Sequence, residues 1–216
     1  MTQQEKEFEK KSVKESVKES VKFIVFGARG RVGRAVVAEA RGRGYEVTEA
    51  GRADGDVTSA VDVARLAAGH DVAVVAAYDM GAVPGEFFPA AARALAAGLP
   101  GAGVRRLVCV GLASVLPTES GALLMDTPGY PQEWRQFYEG HAAGTEALRA
   151  AVPTGLDWAV LSPAGDFAAA AGPRGGYAFA AADAEARITH ADFARAVLDE
   201  ALTPTVRAAH AGVAGA

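Results

Sequence analysis

From Val21 onward, short apolar runs alternate with longer stretches whose apolar residues recur every three or four positions. Lys22-Phe-Ile-Val-Phe26 is a compact β-rich run, and Gly33 to Arg43 places Val36, Val37 and Ala40 on one helical face. Tyr45 to Thr48, Asp71 to Ala77, Arg105 to Val110 and Leu156 to Leu161 continue the series of strands. Between them the pattern predicts helices from a Thr58 or Ser59 cap through Ala68, over Pro84 to Ala97 and over Glu133 to Ala151. A closing helix is expected over Ala191 to Leu202, with His190 capping or preceding it. Apolar strands separated by helices indicate an α/β protein, a doubly wound parallel sheet covered on both faces. The stretch from Arg52 to Asp56 is so short that the crossover there reads as abbreviated.

The first 22 residues differ in kind. They hold every lysine, and they repeat Ser-Val-Lys-Glu at Ser12 and Ser16. Val13, Val17 and Val21 fall four apart, which gives a helix with one thin apolar stripe. Residues 1–22 are therefore expected to form a charged, partly helical appendage, with a partner-binding or oligomerisation helix as the alternative. The change in base usage suggests a segment foreign to the single domain expected over 23–216.

Composition narrows the chemistry. A chain of 216 residues with 50% hydrophobic and 22% charged positions suits a globular domain. Its net charge of −4 gives no electrostatic footprint for nucleic acid or an anionic membrane. The one cysteine, Cys109, and four scattered histidines argue against a metal site. No apolar run is long enough to cross a bilayer. The expectation is a cytoplasmic protein acting on a small-molecule substrate, with a homodimer left open.

Gly27-Ala-Arg-Gly-Arg-Val-Gly33 follows the first strand and opens the first helix. In this context the first glycine permits a tight turn and the second lets a pyrophosphate approach the backbone. The third lets helix and strand pack closely, and the helix N-terminus attracts the anion. Gly27, Arg29, Gly30, Arg31, Val32 and Gly33 are the candidate phosphate-binding residues. The second strand leads to Arg52, whose planar fork suits a 2′-phosphate. Glu49, the competing ribose carboxylate, stands two or three residues early, so NADP(H) is favoured over NAD. Asp56 and Val57 occupy the position expected for the adenine, although Asp56 also reads as a turn or helix cap.

These residues resemble the atypical short-chain dehydrogenases/reductases of the NAD(P)H-binding type, which include the NmrA-like and the biliverdin/flavin reductase-like proteins. The resemblance rests on Phe26 to Gly33, Gly44-Tyr-Glu-Val-Thr48, Gly55-Asp-Val-Thr58 and Ala68-Gly-His-Asp-Val72. It continues through Gly103 to Val108, Asp126 to Pro131, Gly155-Leu-Asp-Trp158, Leu161-Ser-Pro-Ala164 and Arg187 to Phe193. It implies a Rossmann-like domain with a small C-terminal substrate region and NADPH as cofactor. Arg29 stands where relatives commonly have threonine. The superfamily's Tyr-x-x-x-Lys relay is missing, since no lysine follows Lys22 and Tyr138 is followed four residues later by Ala142.

Ligands of open parallel sheets sit at the carboxyl ends of the strands. That rule selects Ala76, Ala77 and Tyr78, then Ser114, then Pro163. Ser114 is placed to hydrogen-bond a carbonyl oxygen, or is a plain loop serine. Tyr138 and His141 share a helical face and are the candidate proton donors. His141 alternatively hydrogen-bonds a neighbouring loop. Tyr130, Trp134 and Phe137 read either as a wall for a flat substrate or as a satellite core. The leading reading is an NADPH-dependent reductase of a small conjugated acceptor: a carbonyl, quinone or flavin-like molecule. Its alternatives are a non-catalytic dinucleotide sensor of the NmrA-like kind and a non-redox cyclase or isomerase on a repurposed fold.

Overall fold

The computed structural model describes residues 21–169, 172 and 175–216. The repeats and the appendage expected before Val21 lie outside the described residues. Strands β1 (Lys22–Phe26), β2 (Glu46–Ala50), β3 (Val72–Val75), β4 (Arg106–Val110) and β5 (Asp157–Pro163) run parallel in the order β2-β1-β3-β4-β5. Helices α1 (Arg31–Gly42), α2 (Ala60–Ala67), α3 (Pro84–Gly101) and α4 (Arg135–Ala151) make the crossovers. The expected abbreviated crossover is thus complete but small. Its helix has eight residues and its strand four. Ser59 is its cap, accepting from the Asp62 N–H.

The sheet separates two apolar layers, which is what doubly wound means in residues. Ile24, Phe26, Leu107, Trp158 and Val160 face one side with Val63 of α2, Leu95 and Leu99 of α3 and Leu148 of α4. Phe23, Val25, Val74, Val108 and Leu161 face the other, with Val36 and Val37 of α1. The alternation follows from side chains pointing to opposite faces at successive positions.

The distal third adds four strands that the sequence pattern did not reveal. These are β6 (Asp166–Phe167), β7 (Tyr177–Ala180), β8 (Arg187–Ile188) and, after helix α5 (His190–Leu202), β9 (Ala209–Gly215). β9 joins the main sheet parallel to β5, and β7 closes it as an antiparallel edge. β6 and β8 pair as a separate two-stranded piece. Thr189 caps α5 by accepting from the Asp192 N–H, so His190 is the first helical residue and stacks on Phe167. Val197, Leu198 and Phe193 of α5 fill the layer beside α1.

Two contacts fix the frame around the carboxyl edge. α3 and α4 run parallel and touch where α4 has glycines: a Cβ on Gly140 would lie 2.7 Å from Pro84, and one on Gly144 would lie 2.7 Å from Phe88. Arg106, 5% exposed, donates to Asp157 at 2.9 Å, to the Val206 carbonyl at 3.0 Å and to the Glu200 carbonyl at 3.2 Å. Buried Glu200 accepts in turn from the Thr205 and Val206 N–H groups, tying α5 to the segment that leads into β9. No helix among the described residues is long and apolar enough to cross a membrane.

Candidate cofactor groove and active site

The turn between β1 and α1 is built around its glycines. Gly27 adopts φ +77°, donates to the Ala50 carbonyl and lies so close to β3 that a Cβ would collide with the Ala76 carbonyl. Gly30 donates back to the Gly27 carbonyl at 3.0 Å, closing the turn. A Cβ on Gly33 would strike that same carbonyl oxygen, so the third glycine lets α1 sit directly on the turn. No side chain caps α1, and its first turn holds no acid. Its positive end is therefore left for an external anion.

A groove of about 320 Å³ opens beside this turn. Gly27, Gly30, Arg52 and Asp56 line it, together with Val57, Ala76, Ala77 and Tyr78. The other proposed binding residues stand around it in different ways. The Arg29 guanidinium lies over Gly51, within 3.7 Å of where a Cβ there would stand. Arg31 is exposed at the start of α1, and Val32 packs against the apolar layer. Pro163 is buried at the end of β5 opposite Val213. Glu49 pairs with Arg41 at 2.8 Å from within β2 and does not reach the strand's end. One oxygen of Asp56 accepts from both the Thr58 N–H and its hydroxyl at 2.8 Å, so this residue also shapes the turn before α2. These residues fit a dinucleotide: a turn whose Gly27 and Gly30 carry no Cβ, an uncapped helix end and arginines where β2 ends.

The three candidate catalytic residues do not form one cluster. Ser114 is fully buried on a short 3-10 turn (Ala113–Val115), and its hydroxyl has no hydrogen-bond partner among the described residues. Tyr138 is also buried and packs edge-on against Tyr130 at 5.6 Å, with desolvation raising its phenol above the ordinary value. His141 turns away from both. Its ring centroid lies 3.8 Å from that of Phe88, with the planes tilted by 35°, and it meets Phe137 edge-on at 4.9 Å. Burial, and then the nearby His210, push its pKa down to about 3, so it is a neutral imidazole near pH 7 and a poor proton donor.

The expected grouping of Tyr130, Trp134 and Phe137 is also divided. Tyr130 goes with Tyr138, while Trp134 is 59% exposed. Phe137 joins a different cluster, with Tyr78, Phe88 and His141. Tyr78 stacks on Phe88 at 5.2 Å with an interplanar angle of 10°. The reason is helical: residues 137 and 141 face α3, whereas 138 faces the 3-10 turn. Beneath this cluster, between the sheet and α3 and α4, lies an apolar cavity of about 60 Å³ that Ala77 and Phe87 share with the groove.

His210 went unread in the sequence, because β9 did. Its Nε2 shares a hydrogen bond of 2.7 Å with the fully buried Ser162 hydroxyl. Gly111 makes room for the pair, since a Cβ there would lie 2.6 Å from Ser162 Oγ and 3.0 Å from His210 Nε2. Burial pushes His210 down to about 4. Cys109 faces the same cavity, with its thiol raised to about 12 by burial, and is inert as a nucleophile. No cluster of metal-ligating side chains is found among the described residues.

Comparison with known proteins agrees with this geometry. Residues 27–204 match the model of the NAD(P)H-binding family. The uncharacterized protein YwnB of Bacillus subtilis is 33% identical over 199 residues, covering 83% of this chain and 91% of that protein. A candidate exported protein from Burkholderia pseudomallei has a similar structure, with a TM-score of 0.75 and 28% identity over 90% of this chain and 99% of the other. A candidate NADH-flavin reductase from Streptococcus pneumoniae TIGR4 gives 0.70 and 26% over 91% and 100%.

Proposed function

We propose that this chain, which belongs to the NAD(P)H-binding family, is an NADPH-dependent reductase of a small, flat conjugated acceptor such as a quinone, an enone or a flavin. The observation that carries the choice of NADPH is the pair of guanidiniums at the end of β2. Arg29 lies over Gly51 and Arg52 follows it, while the only nearby glutamate on β2 is engaged by Arg41. Arginine forks suit a 2′-phosphate, and no ribose-binding carboxylate competes from β2. NADPH, when bound, supplies the hydride.

The chain's own residues do the rest. Gly27, Gly30 and the open end of α1 receive the pyrophosphate, and Ala76 and Ala77 admit the dinucleotide close to β3. The stacked rings of Tyr78 and Phe88, with Phe137 edge-on, offer a flat apolar wall beside the groove. That wall supports a planar acceptor. The structural relative named for flavin reduction points to the same class at 26% identity. Ser114, with its unclaimed buried hydroxyl, is the group we assign to hold the acceptor's oxygen, and the buried Tyr138 phenol is the second candidate donor. His141, neutral and wedged between phenylalanines, shapes the wall, and the final proton comes from solvent or from Tyr138. Reduced dinucleotide is supplied in the cytoplasm, where we place the protein.

One observation favours a second reading, a dinucleotide sensor without turnover: Ser114 and Tyr138 are both buried, at 0% and 7% exposure. An acceptor screen separates the two. Purified protein with NADPH is offered menadione, FMN, biliverdin and simple enones while absorbance of the reduced nicotinamide is followed. Steady NADPH oxidation with at least one acceptor, slowed by Ser114→Ala, is the expected result. Tight NADPH binding with no turnover on any of them would establish the sensor reading.

A further inference from the structure

Arg52 is not free at the mouth of the groove. Its Nη2 lies 2.6 Å from Oδ1 of Asp79, which follows β3. Both residues line the groove, so the pair spans it from the β2 side to the β3 side. Their exposures differ in a useful way: the Arg52 side chain is 72% exposed and that of Asp79 36%. Asp79 is also the fixed member. The same Oδ1 accepts from the Gly81 N–H at 2.8 Å, and the Tyr78 hydroxyl donates to the Ala82 carbonyl, holding the loop in place. Asp54 accepts from the Gly51 N–H at 2.8 Å, and the acid paired with Arg52 is Asp79. Arg29 has no acidic partner among the described residues.

We infer that Asp79 is a specificity-determining residue of this groove, an internal carboxylate that a 2′-phosphate must displace from Arg52. The inference rests on the proposed reading that Arg52 receives that phosphate. A phosphate carries the same kind of oxygen acceptors as a carboxylate and more charge, so it replaces Asp79 on the same guanidinium. Asp79 then remains nearby as a like charge. An unphosphorylated dinucleotide leaves the Arg52–Asp79 pair intact and meets no such competition. Asp79 therefore narrows the preference for the phosphorylated cofactor instead of abolishing binding. An exposed ion pair of this type shifts an equilibrium by up to about fivefold.

The test is calorimetric titration of NADP+ and NAD+, two unreactive probes that differ only in the 2′-phosphate, against wild type, Asp79→Asn and Arg52→Ala. Asparagine keeps an oxygen for the Gly81 N–H, so the loop stays in place. Asp79→Asn is expected to tighten NADP+ by about fivefold and to leave NAD+ within about twofold. The tightening should also shrink as salt rises. Two results overturn the inference: no change for NADP+, or equal tightening of both probes, which would make the pair a mere steric strap. Arg52→Ala keeps the two levels apart. If it leaves NADP+ binding unchanged, the cofactor reading itself fails. If it weakens NADP+ while Asp79→Asn has no effect, only the role of Asp79 fails.

Discussion

A single methyl group tests how closely the first turn is packed. Gly33→Ala places a Cβ against the Gly27 carbonyl, which belongs to the backbone and cannot swing aside. The substitution should cost about 2–3 kcal/mol, lowering the thermal midpoint by roughly 5–10 °C in calorimetry. Arg52→Ala acts on ligand alone: its side chain is mostly exposed and its ion pair is a surface one. Stability should hold within about 0.5 kcal/mol. The close packing at Gly33 and the place of Arg52 after β2 were legible in the sequence because each depends on neighbours in the chain: a strand, a turn and a helix in succession. His141 was not. Its helix and face could be read, but its lowered pKa depends on Phe88 from α3 and His210 from β9. Asp79 was visible as a residue after β3, yet its pairing with Arg52 needs two loops to meet across the groove.

Among the elements, those with their own periodicity were read and those without it were missed. Four of the five parallel strands, β1 and β3 to β5, are largely apolar runs, the edge strand β2 alternates as Glu-Val-Thr-Glu-Ala, and the helices between them carry clear apolar faces. β9 is Ala-His-Ala-Gly-Val-Ala-Gly, with one β-branched residue and no alternation that marks a strand. It is a strand because β5 offers it a ladder, from Ala159 opposite Ala209 to Pro163 opposite Val213. The ion-pair cluster of Arg106, Asp157 and Glu200 sits at the other end of the same strands and guides the chain into β9. Burial lowers the Arg106 guanidinium to about 10, while Glu200 opposes that shift. Arg106→Met would leave Glu200 buried at 3% exposure without its cation. The expected loss is about 3–5 kcal/mol in urea unfolding, because an uncompensated buried charge costs more than the pair contributes. A loss near zero would mean that Glu200 is satisfied by the Thr205 and Val206 N–H groups alone.

Across the whole molecule, folding brings together two histidines that lie 69 residues apart in sequence and keeps both neutral. Each would take up a proton near 6.5 in the unfolded chain, but only at about 3 for His141 and about 4 for His210 in the fold. The unfolded state therefore binds more protons below pH 6.5. Stability is full above that value and falls as pH drops toward 4. The urea midpoint should fall by an amount equivalent to a few kcal/mol over this range, and His210→Gln should flatten the decline. The same assembly of distant parts makes the candidate cofactor groove, which draws on the first turn, the end of β2 and the end of β3. The most direct test of the account is a fluorescence titration of wild-type protein with NADPH and with NADH, following the nicotinamide. Saturable binding of both is expected, with NADPH tighter by about tenfold through its charge-assisted bonds to arginine. Binding of neither, or tighter binding of NADH, would contradict it.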